Sequence, residues 1–373
     1  MIDFENLMAG LPQSGLRPAR ARGPSLTRVE GFGANPGALG MWVYAPPGLP
    51  AGAPLVVVLH GCGQTAQGYA EGAGWLTLAD RFGFCVLCPE QAAANNVNRC
   101  FNWFEPGDTA RDEGEAASIR QMVRRAVADH HIDRARIFVT GLSAGGGMTA
   151  VMLAAYPDVF AAGAIVAGLP YGAAANVQEA FGAMVQGRRR SASDWGDKVR
   201  AASSHQGPWP RVSIWHGDAD TTVRPGAADD VAAQWIDVHG LLDDPVEVKS
   251  AKGRPFMAWC GADGEYLVQL HRLPGMGHGT PLATTGSEGC GTAGPFLLEV
   301  GVSSSLEIAM SWGIADARAG HSGQWTVEPE AMRPTIPKGR AWTPGVGAAQ
   351  SAGLAADVEA VISKALRAAG LMK

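Results

Sequence analysis

The residues best suited to chemistry in this sequence are a serine flanked by glycines and a histidine far downstream of it. Ser143 lies in GLSAG (141–145), directly after the apolar run RIFVT (136–140) and directly before a helical pattern. A serine at a tight turn from a strand into a helix presents its hydroxyl group at the edge of a sheet, where it acts as a nucleophile. Without those flanking elements, the motif would indicate only a glycine-rich turn. In this context it predicts a nucleophilic serine.

A serine nucleophile needs a base, and His278 is the histidine best placed for that role. It lies in GMGHGTP (275–281), just beyond a strand pattern that ends near Arg272. A loop beyond the last strand leaves the imidazole free to face the serine. His271 falls within the strand pattern and His239 ends a helical pattern, so we expect both to be structural.

Two aspartates compete for the acid that orients the base. Asp218 and Asp220 both lie in WHGDADTTV (215–223), after the strand pattern RVSIW and between the serine and the histidine in sequence. The order serine, acid, histidine is the one in which this kind of sheet supplies the three groups. Asp220 is favoured because it lies clear of the turn at His216-Gly217. Asp218 is expected to cap that turn through its own backbone.

The negative oxygen that forms during acyl transfer needs two N–H donors held in place beforehand. The residue after the nucleophile, Ala144, is one candidate, because it begins a helix. The second should come from the loop after an early strand, which here is LHGCGQ (59–64). Glycines in that loop let the backbone approach a substrate, and Cys62 is the predicted donor through its amide.

The elements that must position these groups alternate regularly along the chain. The strand patterns are Leu55–His60, Phe84–Cys88, Arg136–Thr140, Gly163–Ala167, Val212–His216 and Tyr266–Arg272, and the helical patterns are Gly72–Phe82, Glu113–Asp129, Ala144–Tyr156, Gly226–His239 and Ser303–Trp312. Continuous β-branched runs are typical of strands covered by helices on both faces. The sequence therefore predicts an α/β fold with a mostly parallel central sheet and helices on both sides.

Composition excludes several other classes of protein. Of the 373 residues, 46% are hydrophobic and 17% charged, as in an ordinary globular protein. A net charge of −5 without a basic stripe argues against nucleic acid as a partner. No apolar run approaches the ~18 residues of a membrane span. Residues 1–24 lack the apolar core of a secretory signal, so a cytoplasmic location is the default expectation, with secretion or a periplasmic location left open.

Cys85 and Cys88 form a C-x-x-C motif, the spacing of some redox and zinc sites. They lie in an apolar strand pattern, where residues three apart point to opposite faces. We therefore expect them to be buried and inert.

Taken together, five blocks resemble the poly(3-hydroxybutyrate) depolymerase family of esterases, which is related to feruloyl and acetylxylan esterases. The blocks are LHGCGQT (59–65), CFNWF (100–104), GLSAGG (141–146), WHGDADTTV (215–223) and GMGHGTP (275–281). They occur in one order between about residues 41 and 314, a range that also includes GPFLLEVGVSSSLEIAMSWGI (294–314). The resemblance implies the α/β-hydrolase fold.

The resemblance also implies a site and a chemistry. The triad would be Ser143, Asp220 and His278, and the oxyanion hole would be formed by Cys62 and Ala144. The substrates would be 3-hydroxybutyrate oligomers, polyester or other short-chain esters, with feruloyl or acetylated xylan esters as the alternative. No metal or organic cofactor is expected. A disulfide between Cys62 and Cys100 is implied as well, and it depends on an oxidising compartment.

Three aromatic residues are candidates for contact with the substrate. Trp103, Phe104 and Tyr171 fall on predicted loops near the site, where they would hold an acyl or aryl group. Ordinary core packing is the alternative for all three.

The sequence divides into an N-terminal segment (1–40), a catalytic domain (41–314) and a C-terminal extension (315–373). The extension consists of a Gly/Pro/Ala-rich linker and a helical pattern at Leu354–Ala369. A helix with one apolar stripe packs against something, here either the catalytic domain or a second subunit in a homo-oligomer. No Ser/Thr-rich linker or β-rich polymer-binding domain is evident, which favours soluble oligomers over crystalline polyester.

Two rival functions remain open. A serine peptidase of the same fold would use the same triad, since a triad does not choose between ester and amide. A catalytically inactive binding protein is the rival from another class, although every predicted triad position is filled.

Overall fold

The computed structural model describes residues 24–187, 190–242, 244–250 and 253–315. A ten-stranded sheet, in the order β1-β2-β4-β3-β5-β6-β7-β10-β9-β8, crosses the centre of the molecule. Its strands are β1 (Thr27–Val29), β2 (Gly40–Tyr44), β3 (Leu55–Leu59), β4 (Cys85–Glu90), β5 (Ile137–Leu142), β6 (Ala162–Val166), β7 (Arg211–Gly217), β8 (Val246–Lys249), β9 (Pro255–Cys260) and β10 (Tyr266–Leu273). A separate two-stranded ladder pairs β11 (Thr280–Leu282) with β12 (Leu297–Glu299).

The six strands from β4 to β10 in the centre of this sheet run parallel, and the outer strands are antiparallel. Strands β3, β5 and β6 are buried at every position. Continuous burial requires cover on both faces, and this is why their sequences are apolar without alternation.

Helices cover both faces. They are α1 (Ala66–Gly72), α2 (Trp75–Phe82), α3 (Pro106–Thr109), α4 (Gly114–His130), α5 (Ala144–Ala155), α6 (Val177–Gln186), α7 (Ala192–Ala201), α8 (Gly226–Val238) and α9 (Ser304–Ser311). Two apolar cores result, one beneath α4 to α8 and one beneath α1, α2 and α9. Cys85 belongs to the first core and Cys88 to the second, and both are buried free thiols, as the strand pattern predicted.

The predicted α/β architecture is confirmed, with all six predicted strands within two residues of their observed ends. The predicted helix at Gly72–Phe82 corresponds to α2, which begins only at Trp75, because the chain turns at Gly74 with φ 85°. Sequence reasoning missed α1, α3, α6, α7 and the outer and short strands, which lack long apolar runs.

Part of the segment assigned to the N-terminus belongs to the sheet. Strand β1 pairs with β2, and Leu26, Phe32 and Leu39 are buried in the two cores. Described residues before position 41 therefore contribute to the sheet and to both cores. The predicted linker and the helix at Leu354–Ala369 lie outside the described residues.

Candidate active site

Ser143 occupies the turn between β5 and α5. Its backbone has φ 56° and ψ −115°, a conformation that is costly for any residue other than glycine. Its N–H donates to the carbonyl of Val166 at 2.9 Å, which fixes the turn to the neighbouring strand. A side chain at Gly145 would collide with the carbonyl oxygens of Leu59 and His60, so the helix can follow the turn this closely only with glycine there. The strained turn presents the serine hydroxyl at the carboxyl edge of the sheet.

The other two predicted residues reach the same edge from neighbouring strands. Strands β7 and β10 are parallel and adjacent, and Asp220 and His278 each follow one of them. His278 Nε2 lies 2.9 Å from Ser143 Oγ, and His278 Nδ1 lies 2.7 Å from Asp220 Oδ2. The structure thus brings the three residues into one hydrogen-bonded chain.

The surroundings of Asp220 favour its ionised form. Its side chain is fully buried, which alone would favour the neutral acid. Hydrogen bonds from His216 and His278, the charge of His278 and the amide of Val223 outweigh burial and hold the pKa of Asp220 below its ordinary value. The amides of Thr222 and Val223 both donate to Oδ1, at 2.8 and 3.0 Å, so Oδ2 is left for the histidines.

His216 is a partner of Asp220 that sequence reasoning missed. Its Nε2 lies 2.8 Å from the carbonyl of Val223 and 3.3 Å from Asp220 Oδ2, so this nitrogen carries the proton. The signal was present, since His216 and Asp220 are separated by one short turn after a strand. The buried ring fixes the loop that carries the acid.

Asp218 faces solvent, and its carboxylate accepts the N–H of Gly275 at 2.6 Å. It therefore holds the start of the histidine loop, and does not cap its own turn as the sequence indicated. The two other histidines considered as bases have structural roles. His271 stacks on Trp215 with ring centroids 3.9 Å apart, and His239 bonds to the carbonyl of Pro210 at 3.0 Å.

The loop after β3 lies beside the serine. Gln91 N–H donates to His60 Nε2 at 3.1 Å, so the ring proton is on Nδ1, which donates to the carbonyl of Gly61 at 2.8 Å. Because a trans peptide points its C=O and N–H in opposite directions, this bond turns the Cys62 N–H away from His60. The Cys62 amide donates to no other residue that the structure describes.

A second segment, residues 91–104, packs against this loop and has no regular structure. A disulfide joins Cys100 to Cys62, as the family resemblance implied, and Gly63 N–H donates to the carbonyl of Asn98 at 2.7 Å. The loop after β3 (residues 60–64), which we call the oxyanion loop for the role predicted for Cys62, is therefore cross-linked side by side with segment 91–104.

Glu115, at the start of α4, anchors segment 91–104 from beneath. The buried carboxylate accepts the side-chain amide of Gln91 and, at 2.9 Å, the backbone N–H of Asn102. Burial raises the pKa of Glu115 to about 8. Nothing in the local sequence marks this role, which depends on a contact between distant parts of the chain.

A cavity of about 600 Å³ opens at Ser143 and Ala144. Trp103 and Phe104 line it, whereas Tyr171 does not. The backbone of Tyr171 is bonded on both sides to the side chain of Gln234 on α8, at 2.9 and 3.0 Å, which holds it away from the cavity. Most of the remaining wall comes from α6 and segment 91–104, and its larger members are Val97, Val177, Phe181 and Met184.

No helix among the described residues has the length and apolar character needed to cross a bilayer. No group of three or more His, Cys, Asp or Glu side chains in the same part of the chain is arranged to hold a metal ion.

Comparison with known proteins identifies the family of the chain. The sequence model of the family described as "Esterase PHB depolymerase" matches residues 39–255. Poly(3-hydroxyalkanoate) depolymerase C from Paucimonas lemoignei is 47% identical over 292 residues, which cover 78% of this chain and 70% of that protein.

Feruloyl esterase B from Thermothelomyces thermophilus is 36% identical over 224 residues, or 58% of this chain and 76% of that protein. A solved structure, an acetyl xylan esterase from Aspergillus awamori, superposes with a TM-score of 0.66 at 26% identity, over 78% of this chain and all of that one. The fold is thus that of the α/β-hydrolase esterases, and the chain belongs to the PHB depolymerase family of carboxylic ester hydrolases.

Proposed function

We propose that this esterase uses Ser143 as nucleophile, His278 as general base and Asp220 as the acid that orients it. The observation that carries the proposal is the unbroken hydrogen-bonded chain from Ser143 Oγ through the imidazole to the buried Asp220 carboxylate. A neutral imidazole whose Nδ1–H points at a carboxylate leaves Nε2 free to accept the serine proton.

The reaction proceeds in two steps. Ser143 Oγ attacks the ester carbonyl as its proton passes to His278, and the tetrahedral intermediate collapses when the imidazolium gives that proton to the departing alcohol. Water then attacks the acyl-enzyme as His278 takes its proton, and the acid leaves as the imidazolium returns that proton to Ser143 Oγ. Asp220 stays ionised and stabilises the imidazolium in both steps, which fits its lowered pKa.

The amides of Cys62 and Ala144 form the proposed oxyanion hole. Ala144 is the first residue of α5, and a first-turn N–H has no acceptor within its own helix. The His60 bond to Gly61 supports the same role for Cys62, since it sets the direction of that peptide group. Such donors act strongly because they are oriented before the charge forms.

The substrates we propose are short esters of hydroxyalkanoic acids. The cavity is large enough for an oligomer of a few units, and its wall is mainly apolar. The depolymerase relative points to the same class. Feruloyl or acetylated xylan esters are the second candidate, because Trp103 and Phe104 offer aromatic surface in the cavity.

A panel of substrates tests this proposal. Initial rates would be measured on 3-hydroxybutyrate trimer, methyl ferulate, acetylated xylan, p-nitrophenyl butyrate and a peptide anilide. We expect the highest kcat/KM among the natural esters for the trimer and no turnover of the anilide. Turnover of the anilide at a comparable rate would favour a peptidase, and a preference for ferulate would favour the second candidate.

A further inference from the structure

The cavity beside Ser143 has a charge distribution that the ester chemistry does not require. Its wall is formed mainly by apolar side chains, backbone and two asparagines, and Arg99 is the only charged residue among the described residues that line it. A single cation at the rim of an apolar cavity fits a ligand that is apolar along most of its length and negatively charged at one end.

The position of Arg99 is fixed by its neighbours. Its φ of 51° lies in the left-handed region, which a residue with a side chain adopts at a cost. Its N–H donates to the carbonyl of Asn96 at 2.7 Å, and the next residue, Cys100, is bonded to the oxyanion loop through Cys62. The backbone at Arg99 is therefore anchored to the same loop that supplies the proposed oxyanion amide.

The charge of Arg99 is not neutralised within the described part of the chain. Other arginines there, such as Arg111, Arg200 and Arg254, pair with carboxylates, but Arg99 forms no ion pair with a described residue. Its field reaches the inner wall of the site. Burial is the main cause that lowers the pKa of His60, and the charge of Arg99 adds to it against the opposing charge of Glu90.

We propose that Arg99 is a specificity-determining residue that binds a free carboxylate on the substrate, so that the enzyme prefers acid-terminated hydroxyalkanoate oligomers to their neutral alkyl esters. In such an oligomer the terminal unit carries both the ester oxygen and a carboxylate. Hydrolysis adds the hydroxyl of water to the acyl carbon and a proton to that ester oxygen, and the carboxylate held by Arg99 is unchanged. The inference rests on the proposed esterase function and adds the class of substrate.

A matched pair of substrates tests it: 3-hydroxybutyrate trimer as the free acid and the same trimer as its methyl ester. The ratio of kcat/KM for acid to kcat/KM for ester cancels any general loss of activity. In Arg99→Gln we expect this ratio to fall roughly two- to fivefold, the range for an exposed ion pair, mainly through KM for the acid. Arg99→Lys should retain part of the preference, and added salt should reduce it in the wild type.

Arg134→Gln is the control. It removes the same charge from an exposed residue just before β5, at the amino ends of the parallel strands and therefore across the sheet from the site. Its ratio should equal that of the wild type. A ratio in Arg99→Gln that equals the wild-type value, or that falls equally in the control, would overturn the proposal for Arg99. Wild-type protein that hydrolyses neither trimer nor p-nitrophenyl butyrate would instead overturn the esterase proposal.

Discussion

The two sides of the cavity are built by different means. On one side, Ser143, Asp220 and His278 each follow a strand of the parallel sheet within five residues, and the backbone ladder fixes their separation. On the other side, segment 91–104 continues directly from β4 but contains no strand or helix, so no backbone ladder fixes its path. It is held by Glu115, by the Cys62–Cys100 disulfide and by the hydrogen bonds of its own asparagines.

The regular sheet and the irregular segment suit different tasks, which are alignment of the reacting groups and contact with the substrate. The proposed catalytic groups need sub-ångström alignment, and rigid strand ends provide it. The wall that meets the substrate is irregular chain, which tolerates change more readily. We therefore expect substitutions on the sheet side to lower kcat for every ester, and substitutions on the side of segment 91–104 to change KM and the range of substrates.

The largest effect is expected at the nucleophile. Ser143→Ala should lower kcat on p-nitrophenyl butyrate by ~10³-fold or more, because nucleophile and base act as a unit. Circular dichroism and a thermal melt would check that the variant is folded. A folded variant with nearly normal turnover would contradict the sheet side of the comparison.

The next largest effect on kcat is expected at Asp220, and it should distinguish this residue from Asp218. Asp220→Asn should lower kcat by roughly 10³- to 10⁴-fold, because an amide at this position favours the wrong histidine tautomer. Asp218→Asn is the matched control, and it should stay within about twofold, since Asp218 holds only Gly275 from an exposed position. Steady-state kinetics on one ester would show both, and the reverse order would make Asp218 the acid.

The disulfide tests the other side. It closes a loop with a sequence separation of 38 residues, so replacing both cysteines by serine should cost roughly 2–4 kcal/mol of stability. Because the bond joins segment 91–104 to the oxyanion loop, KM should rise as well. Thermal melts and kinetics on oxidised and reduced wild type provide the comparison, and peptide mapping without reduction would show whether the bond forms. Finding both Cys62 and Cys100 as free thiols in oxidised protein would contradict the disulfide.

The smallest expected effect concerns Glu115 and pH. Its pKa is about 8 in the folded protein and 4.5 ordinarily, so between these values the folded state holds a proton that the unfolded state has released. The contribution of this group to stability therefore falls as pH rises through that window. Glu115→Gln removes the dependence, so its melting temperature relative to the wild type should increase from pH 5 to pH 8. A constant difference across the window would mean that Glu115 is ionised throughout.

The same division explains what the sequence could predict. The groups after β5, β7 and β10 follow apolar strand runs, and parallel strands bring their carboxyl ends to one edge. Ser143 and His278 could therefore be located from local pattern alone, and Asp220 needed only a choice between two neighbours. His216 could have been predicted by the same reasoning, because it ends the strand pattern that precedes Asp220.

The wall of the cavity could not be located in this way. Residues 91–104 have no periodicity, and their path depends on Glu115 and Cys62, which are distant in sequence. Helix α6 carried a usable signal, since the side chain of Asn176 caps it by accepting the N–H of Glu179. Which face of α6 lines the cavity is decided by tertiary packing. Tyr171 was misplaced for the same reason, because its contact with Gln234 is not visible in the sequence.

The central claim is that Ser143 is the nucleophile, and active-site labelling tests it most directly. Wild-type protein would be treated with a fluorophosphonate, digested and mapped by mass spectrometry, with the loss of p-nitrophenyl butyrate hydrolysis followed in parallel. We expect one adduct, on Ser143, that forms in step with the loss of activity and is absent from Ser143→Ala. An adduct on another residue that tracks inactivation, or an active enzyme that the reagent leaves unlabelled, would contradict the account.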